Sequence, residues 1–294
     1  MQLAGFVPAL PLLSAAAFYL YAFLRVRRRR VGWPFARVGC FLAGLAVLGA
    51  ALLPPLATRD DQFPVHVVQH LLFGMAAPLL LALSAPVTLA LRTLPPHNRW
   101  WLSKLLRTRP VRLLSRPLVA TLLDFVPLYL LYLTPLYGYA LAHPPLHELL
   151  HAHFLVAGCL FTWATVGADP HPGRASVRAR GGVIVLASAA HGTLAKMIYA
   201  AGPYPSDGVS EHSWRVGARL MWYGGDAIEL LLVLAFALQW YRREGKRLER
   251  LPTAREPARS RAPEAESEDT AVVPNGPVSA AEARARGAPP AATR

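Results

Sequence analysis

The chain has 294 residues, of which 54% are hydrophobic and only 16% are charged. Soluble globular domains carry about 25% charged residues, so this composition excludes an ordinary soluble enzyme. The net charge of +14 comes mainly from three short loops and the C-terminal region, which excludes a nucleic-acid-binding face. The two cysteines, Cys40 and Cys159, lie apart in apolar stretches. They exclude a disulfide framework, a CxxC redox pair and a thiolate metal cage.

Seven nearly charge-free segments predict an all-α, polytopic membrane protein, built as a bundle of seven transmembrane helices in the cell membrane. Each segment is long enough to cross about 30 Å of hydrocarbon at about 1.5 Å per residue. Together they define a transmembrane domain over residues 1–241. The predicted spans, in chain order, are Gly5–Leu24, Phe35–Leu56, His66–Leu91, Pro117–Leu141, Leu146–Val166, Gly181–Ala201 and Ala218–Tyr241.

Basic residues are distributed unevenly between alternate loops. The first, third and fifth loops hold 16 Lys and Arg residues, whereas the loops opposite them hold two, Arg59 and Arg215. Because cytoplasmic loops carry the excess of positive charge, we expect the N-terminus outside and the C-terminus in the cytoplasm. Residues 242–294 are rich in Pro, Ala, Arg, Glu and Ser, which predicts a disordered cytoplasmic tail.

Four prolines lie inside two of the predicted spans: Pro78 and Pro86 in span three, and Pro127 and Pro135 in span four. A proline removes one backbone donor, and in lipid such a break is tolerated where neighbouring groups satisfy the freed carbonyl. We expect ordinary kinks at these positions.

Two histidine pairs open predicted spans on the outer side of the membrane. His66 and His70 begin span three, and His147 and His151 begin span five. The i,i+4 spacing places both imidazoles of a pair on one helix face, where they can share a metal ion. Imidazole suits copper, zinc, iron and nickel. The alternative, in which the rings bond only water or backbone carbonyls at the interface, stays open.

Further candidate ligands are weaker. His143 and His153 flank the second pair, and three ionisable residues, His191, Asp226 and Glu229, lie near the middle of spans six and seven. Ionisable groups at this depth are costly unless they face the bundle interior with a partner. Two interpretations follow: a structural ion pair of Lys196 with Glu229 or Asp226, or an internal polar site below the outer histidines.

The segments around both histidine pairs carry a family resemblance. The run HVVQHLLFGMAAPLL, starting at His66, is similar to the third span of the multi-pass CtaG-type cytochrome c oxidase assembly factors. The runs HELLHAHF from His147, GCLFTW from Gly158 and GADP from Gly167 are similar to that family's fifth span and its exit. The resemblance covers roughly residues 5–241 and leaves the tail outside.

The resemblance implies a membrane assembly factor for haem–copper oxidase, not an enzyme, that acts in copper supply. It carries over His66, His70, His147 and His151 as candidate copper ligands, with copper as the ion handled. The implied partners are subunits of cytochrome c oxidase and a copper chaperone, with the lipid bilayer around the protein and no nucleic acid.

Two alternative functions remain open at this point. The first is a haem- or metal-bearing redox membrane protein, although i,i+4 pairs lie on one helix whereas haem needs ligands on opposite sides of its ring. The second is a small-ion transporter that uses the buried charges of spans six and seven, although the sequence has no internal repeat. A visible spectrum separates haem from copper, because only haem gives a Soret band.

Overall fold

The computed structural model describes residues 9–59, 61–171, 173–204 and 208–248. Within these ranges every regular element is a helix. Gly5, the predicted start of span one, and residues 249–294 of the predicted tail lie outside the described residues. The helices are α1 Ala9–Arg28, α2 Phe35–Leu52, α3 Phe63–His70, α4 Ala77–Ser84, α5 Pro86–Thr93, α6 Pro96–Leu106, α7 Arg109–Leu114, α8 Pro117–Leu133, α9 Leu136–Ala142, α10 Pro144–Val166, α11 Val177–Ala201 and α12 Glu211–Leu248, with a π-helical segment Leu71–Ala76 between α3 and α4.

Six helical stretches of the described residues are long and apolar enough to cross a membrane. A seventh crossing is present if α8 and α9, which are bent by 87° at their junction, form one broken span. The all-helical, multi-span fold is therefore confirmed. The number of spans is the predicted seven if the bent pair α8 and α9 counts as one crossing, and six if it does not. The six stretches are Ala9–Arg28, Phe35–Leu52, Phe63–Thr93, Pro144–Val166, Val177–Ala201 and Glu211–Gly245.

The third stretch, Phe63–Thr93, lies at the centre of the bundle. Its helices pack against α2, α10 and α12, and half of its most apolar window is buried. The buried Gln69 donates a 2.9 Å hydrogen bond from Nε2 to the carbonyl oxygen of Ala51, which joins α3 to α2. None of residues 63–91 is exposed, which is consistent with a stretch that is apolar all round rather than on one face.

Two irregularities divide this central stretch: a π-helical segment that the sequence did not predict, and a break at the position where a kink was expected from Pro86. The helix widens into the π-helical segment directly after His70, and it breaks at Ala85, where φ is 54°. The residue before a proline is disfavoured in the α conformation, so Pro86 explains why the break lies at Ala85. π-Helical segments inside α-helices are frequently found at functional sites.

The junction of α8 and α9 is much sharper than the kink expected from its proline. Helix α8 tolerates Pro127 in its interior, whereas at Pro135 the chain turns by 87° into α9. The Thr134 hydroxyl accepts a 3.3 Å hydrogen bond from the backbone N–H of Leu136. The turn carries α9, with Tyr137, towards the N-terminal ends of α3 and α10.

Two regions are more helical than the apolar pattern indicated. The predicted third loop contains α6 and α7, both of which begin with proline at their first or second residue, a position where its fixed φ favours helix. Helix α12 extends beyond both ends of the predicted span Ala218–Tyr241. Its first turn has an i,i+4 ion pair between Glu211 and Arg215, which stabilises helix without apolar residues.

Candidate metal centre

Three of the four principal candidate ligands converge on one point between α3 and α10. One ring nitrogen from each of His66, His147 and His151 lies within 4.8 Å of the other two. His66 Nδ1 and His147 Nε2 are 3.5 Å apart. Metal–imidazole bonds of about 2.0 Å place neighbouring donor atoms about 3.3–3.5 Å apart. The separation of His66 and His147 therefore matches the spacing that one shared ion requires, and a nitrogen of His151 lies within 4.8 Å of both. The three residues are called here the histidine cluster.

The histidine cluster is buried, and one of its ring nitrogens has no hydrogen-bond partner among the described residues. All three residues are buried, and His151 Nε2 has no hydrogen-bond partner among the described residues. A buried polar atom without a partner is unfavourable by about 1–3 kcal/mol. A metal ion coordinated by this nitrogen would give it a partner, so the residues present fit a metal site.

Close approach of the two helices brings the histidines together. A side chain at Gly158 of α10 would collide with the carbonyl oxygen of Gly74 in the π-helical segment, and its Cβ would lie 3.2 Å from Pro78 Cγ. Pro78 has no N–H to donate to the Gly74 carbonyl, which faces Gly158 instead. Small residues allow transmembrane helices to approach closely. Gly158 therefore positions His151, two turns away on the same helix, against α3.

His70, the fourth principal candidate, lies beside the cluster rather than within it. It is buried, and its ring makes edge contacts with Phe154, at 5.4 Å between centroids, and with Phe73, at 6.2 Å. A cavity of about 10 Å³ touches all four histidines. A second cavity, towards α11 and α12, is also lined by His70. His70 therefore connects the cluster with this second cavity.

Aromatic side chains enclose the cluster where α3 and α10 begin. The Tyr137 ring, carried there by α9, lies 5.1 Å from the His66 ring. Phe63 stacks on Trp214 at 4.0 Å and meets Tyr137 edge-on at 5.3 Å. The Trp214 indole donates a 2.7 Å hydrogen bond to the carbonyl of Ile198, which fixes its position. Sequence reasoning missed these residues, because aromatic residues near a span end are also typical of the membrane interface.

The flanking histidines have structural contacts instead of places in the cluster. His143 is exposed, stacks on Tyr139 and donates a 2.8 Å hydrogen bond to the Tyr139 carbonyl. His153 donates a 2.9 Å hydrogen bond to the carbonyl of Leu123 in α8. At the opposite end of the bundle, His171 donates to the carbonyl of Ser115 at 2.7 Å, and burial lowers its pKa.

The three ionisable candidates of spans six and seven do not share one environment. His191 is buried with its Nδ1 3.4 Å from Glu229 Oε1. Asp226 is exposed on the surface of α12. Lys196 lies over the Trp222 ring, with its Nζ 4.7 Å from the centroid. The structure thus pairs Glu229 with His191, and an ion pair with Lys196 was the wrong structural alternative.

Asp169, in the GADP run, has a structural role at the opposite end of the bundle. Its carboxylate accepts hydrogen bonds from the backbone N–H of Val87, at 3.1 Å, and from the N–H and hydroxyl of Thr88, both at 2.6 Å. These groups belong to the first turn of α5, directly after the break at Ala85. A carboxylate there satisfies free N–H groups and complements the helix dipole, so Asp169 stabilises the break in the central stretch.

Comparisons with known proteins found a family profile and similar mycobacterial proteins. The chain is 32% identical over 250 residues to uncharacterised proteins of Mycobacterium bovis and Mycobacterium tuberculosis, and 29% identical over 245 residues to one of Mycobacterium leprae. Each match covers 77% of this chain but 37% of the relative, so the chain spans little more than a third of the relatives' length. No solved structure matches the chain. The profile of the family described as cytochrome c oxidase caa3 assembly factor (Caa3_CtaG) matches residues 17–243, which include the histidine cluster and Asp169. The chain belongs to the family of cytochrome c oxidase caa3 assembly factors.

Proposed function

We propose that this chain is a non-enzymatic assembly factor of the cell membrane that holds copper at His66, His147 and His151 and delivers it to a cytochrome c oxidase subunit. The observation that carries the proposal is the convergence of three buried imidazole nitrogens within 4.8 Å of one another. Family membership supplies the oxidase as the recipient, and imidazole ligands suit copper among the metals an oxidase needs.

The histidine-only ligand set is consistent with reversible binding of cargo. Three neutral imidazoles suit three-coordinate Cu(I) or Cu(II) with further ligands, and they contribute no charge of their own. A resident structural site would normally have four protein ligands in a closed shell. An incomplete shell leaves a position at which a chaperone or an oxidase ligand can enter. The orientation predicted from loop charge places this position on the outer side of the membrane.

The size of the site argues against the haem alternative. The cavity beside the histidine cluster has a volume of about 10 Å³, roughly the space that one water molecule requires. A porphyrin ring does not enter a space of this size without separation of α3 and α10. We therefore favour copper handling over a haem-based redox function.

Oxidase assembly in cells tests the proposal. In a strain lacking the chain, the wild-type chain should restore oxidase activity and oxidase-bound copper, whereas His151→Ala at equal protein level should restore little of either. His212→Ala, an exposed histidine at the start of α12, is the matched control and should behave as wild type. Added copper should partly rescue His151→Ala if the cluster supplies the ion. Full oxidase activity with His151→Ala at ordinary copper levels would contradict the proposal.

A further inference from the structure

A second polar cavity lies next to the histidine cluster, deeper in the bundle. Its volume is about 30 Å³, enough for a small ion or one or two water molecules. It lies among α8, α10, α11, α12 and the π-helical segment. The residues with polar or sulfur atoms that line it are His70, Met75, Asp124, Thr162, Ser188, His191 and Glu229.

His191 is a buried polar residue of this cavity that makes no hydrogen bond to the described residues. Its exposed fraction is 1%, and neither ring nitrogen has a hydrogen-bond partner among the described residues. The ring packs so closely against Gly225 of α12 that a side chain at that glycine would collide with it. Nδ1 faces the Glu229 carboxylate at 3.4 Å, whereas Nε2 is buried without a partner in the described part of the chain, which is unfavourable. The ring is therefore held in place, with its Nε2 unpaired among these residues, in a cavity that has room for a ligand.

The other groups that line this cavity favour one kind of bound ion. Met75 brings a thioether from the π-helical segment, and His70 brings a second imidazole. Thioether and imidazole together favour Cu(I) over hard cations such as magnesium or calcium. The Glu229 carboxylate lies 3.4 Å from His191 Nδ1, and Asp124 lines the same cavity. A carboxylate here offsets the charge that a cation brings into the low-dielectric interior.

We infer that this cavity is a second copper site, specific for Cu(I), with His191, Met75 and His70 as its ligands and Glu229 as the compensating charge. Because His70 also lines the cavity of the histidine cluster, an ion can pass between the two sites through His70. The inference rests on the proposed function for the identity of the ion, whereas the second site itself rests on the geometry of α11, α12 and the π-helical segment.

Anaerobic titration of the full chain in lipid nanodiscs with Cu(I), against a chromogenic chelator, tests this inference. The wild-type chain should bind two Cu(I) ions. His191→Gln and Met75→Leu should each lose one ion, and His151→Gln should lose the other. Met197→Leu, whose side chain is 43% exposed on α11, and Asp226→Asn, exposed one turn from Glu229, are matched controls and should keep both ions.

X-ray absorption gives a second readout that does not depend on stoichiometry. The fully loaded wild-type chain should have a sulfur scatterer at copper, which Met75→Leu should remove and Met197→Leu should retain. Size-exclusion profiles identify any variant that fails to fold. If His191→Gln does not fold, Met75→Leu still tests the site, because this substitution keeps the side-chain volume nearly constant.

The possible results distinguish this inference from the proposed function. One Cu(I) ion lost in His151→Gln but retained in His191→Gln and Met75→Leu would refute the second site and leave the proposed function intact. One ion lost only in His191→Gln and Met75→Leu would support the second site and refute copper binding by the histidine cluster. Absence of copper binding by the wild-type chain would refute both.

Discussion

Replacement of Gly158 by alanine tests whether close packing of α10 against the π-helical segment builds the histidine cluster. A Cβ at this position would collide with the Gly74 carbonyl oxygen and lie 3.0 Å from the Gly74 carbonyl carbon and 3.2 Å from Pro78 Cγ. Two of these contacts are to backbone atoms, which cannot rotate away. The two helices must therefore separate. This separation moves His66, which lies on one of them, away from His151, which lies on the other.

The expected change in the free energy of unfolding is the sum of two opposing contributions. Alanine is favoured over glycine in a helix by about 1 kcal/mol, whereas overpacking of a close contact costs about 1–3 kcal/mol. If copper binding requires the helices to close against the added methyl group, the same 1–3 kcal/mol weakens copper affinity by roughly 5- to 150-fold. Competition of the purified protein with a copper chelator measures the affinity, and unfolding in mixed detergent micelles measures the stability.

Gly192→Ala is the matched control, because a Cβ on that glycine of α11 meets nothing within 4 Å. This variant should be neutral or gain about 0.5–1 kcal/mol. Because the helix preference for alanine is common to both variants, they should differ by the overpacking cost alone, about 1–3 kcal/mol. Copper affinity of Gly158→Ala equal to that of Gly192→Ala would show that the approach of these helices does not set the histidine geometry.

Three other predictions concern the fold and its orientation. Asp169→Ala removes the acceptor at the start of α5 and should lower the free energy of unfolding by about 0.5–2 kcal/mol, whereas the exposed Asp61→Ala should have little effect; equal thermal unfolding midpoints would contradict the capping role. A reporter fused after Arg107 should be cytoplasmic and one inserted at Gly208 external, as the loop charge predicts; the reverse pattern would place the histidine cluster on the cytoplasmic side. Truncation after Arg250 should leave oxidase assembly intact in the deletion strain; loss of oxidase activity at an unchanged protein level would place a partner site in the tail.

Apolar length and histidine spacing predicted the coarse features of the protein. An apolar stretch as long as Phe35–Leu52 is expected to form a spanning helix, because a helix makes all its backbone hydrogen bonds within one segment in lipid. The pair His147 and His151 also meets the expectation, since both rings reach the histidine cluster from one face of α10. The pair His66 and His70 shares one cavity, but only His70 also lines the second cavity, because it lies one turn deeper, against Phe154.

The finer features depend on contacts between distant segments, which spacing along the chain does not encode. Pro135 predicted a kink, but the 87° turn that brings Tyr137 to His66 depends on the packing of α9 against α3 and α10. One of the two sequence-based interpretations placed Asp226 and Glu229, three residues apart, in one internal polar site. Only Glu229 faces the interior, because the contact of Gly225 with His191 fixes the rotation of α12.

Copper content of the purified protein tests the central claim most directly. The full chain would be purified in detergent from copper-supplemented cells, as wild type, His66→Ala, His151→Ala and the exposed control His212→Ala. The histidine cluster predicts that His66→Ala and His151→Ala each lower the copper-to-protein ratio by about one ion per chain, and that His212→Ala matches wild type. The same ratio in all four proteins would contradict copper binding by the histidine cluster.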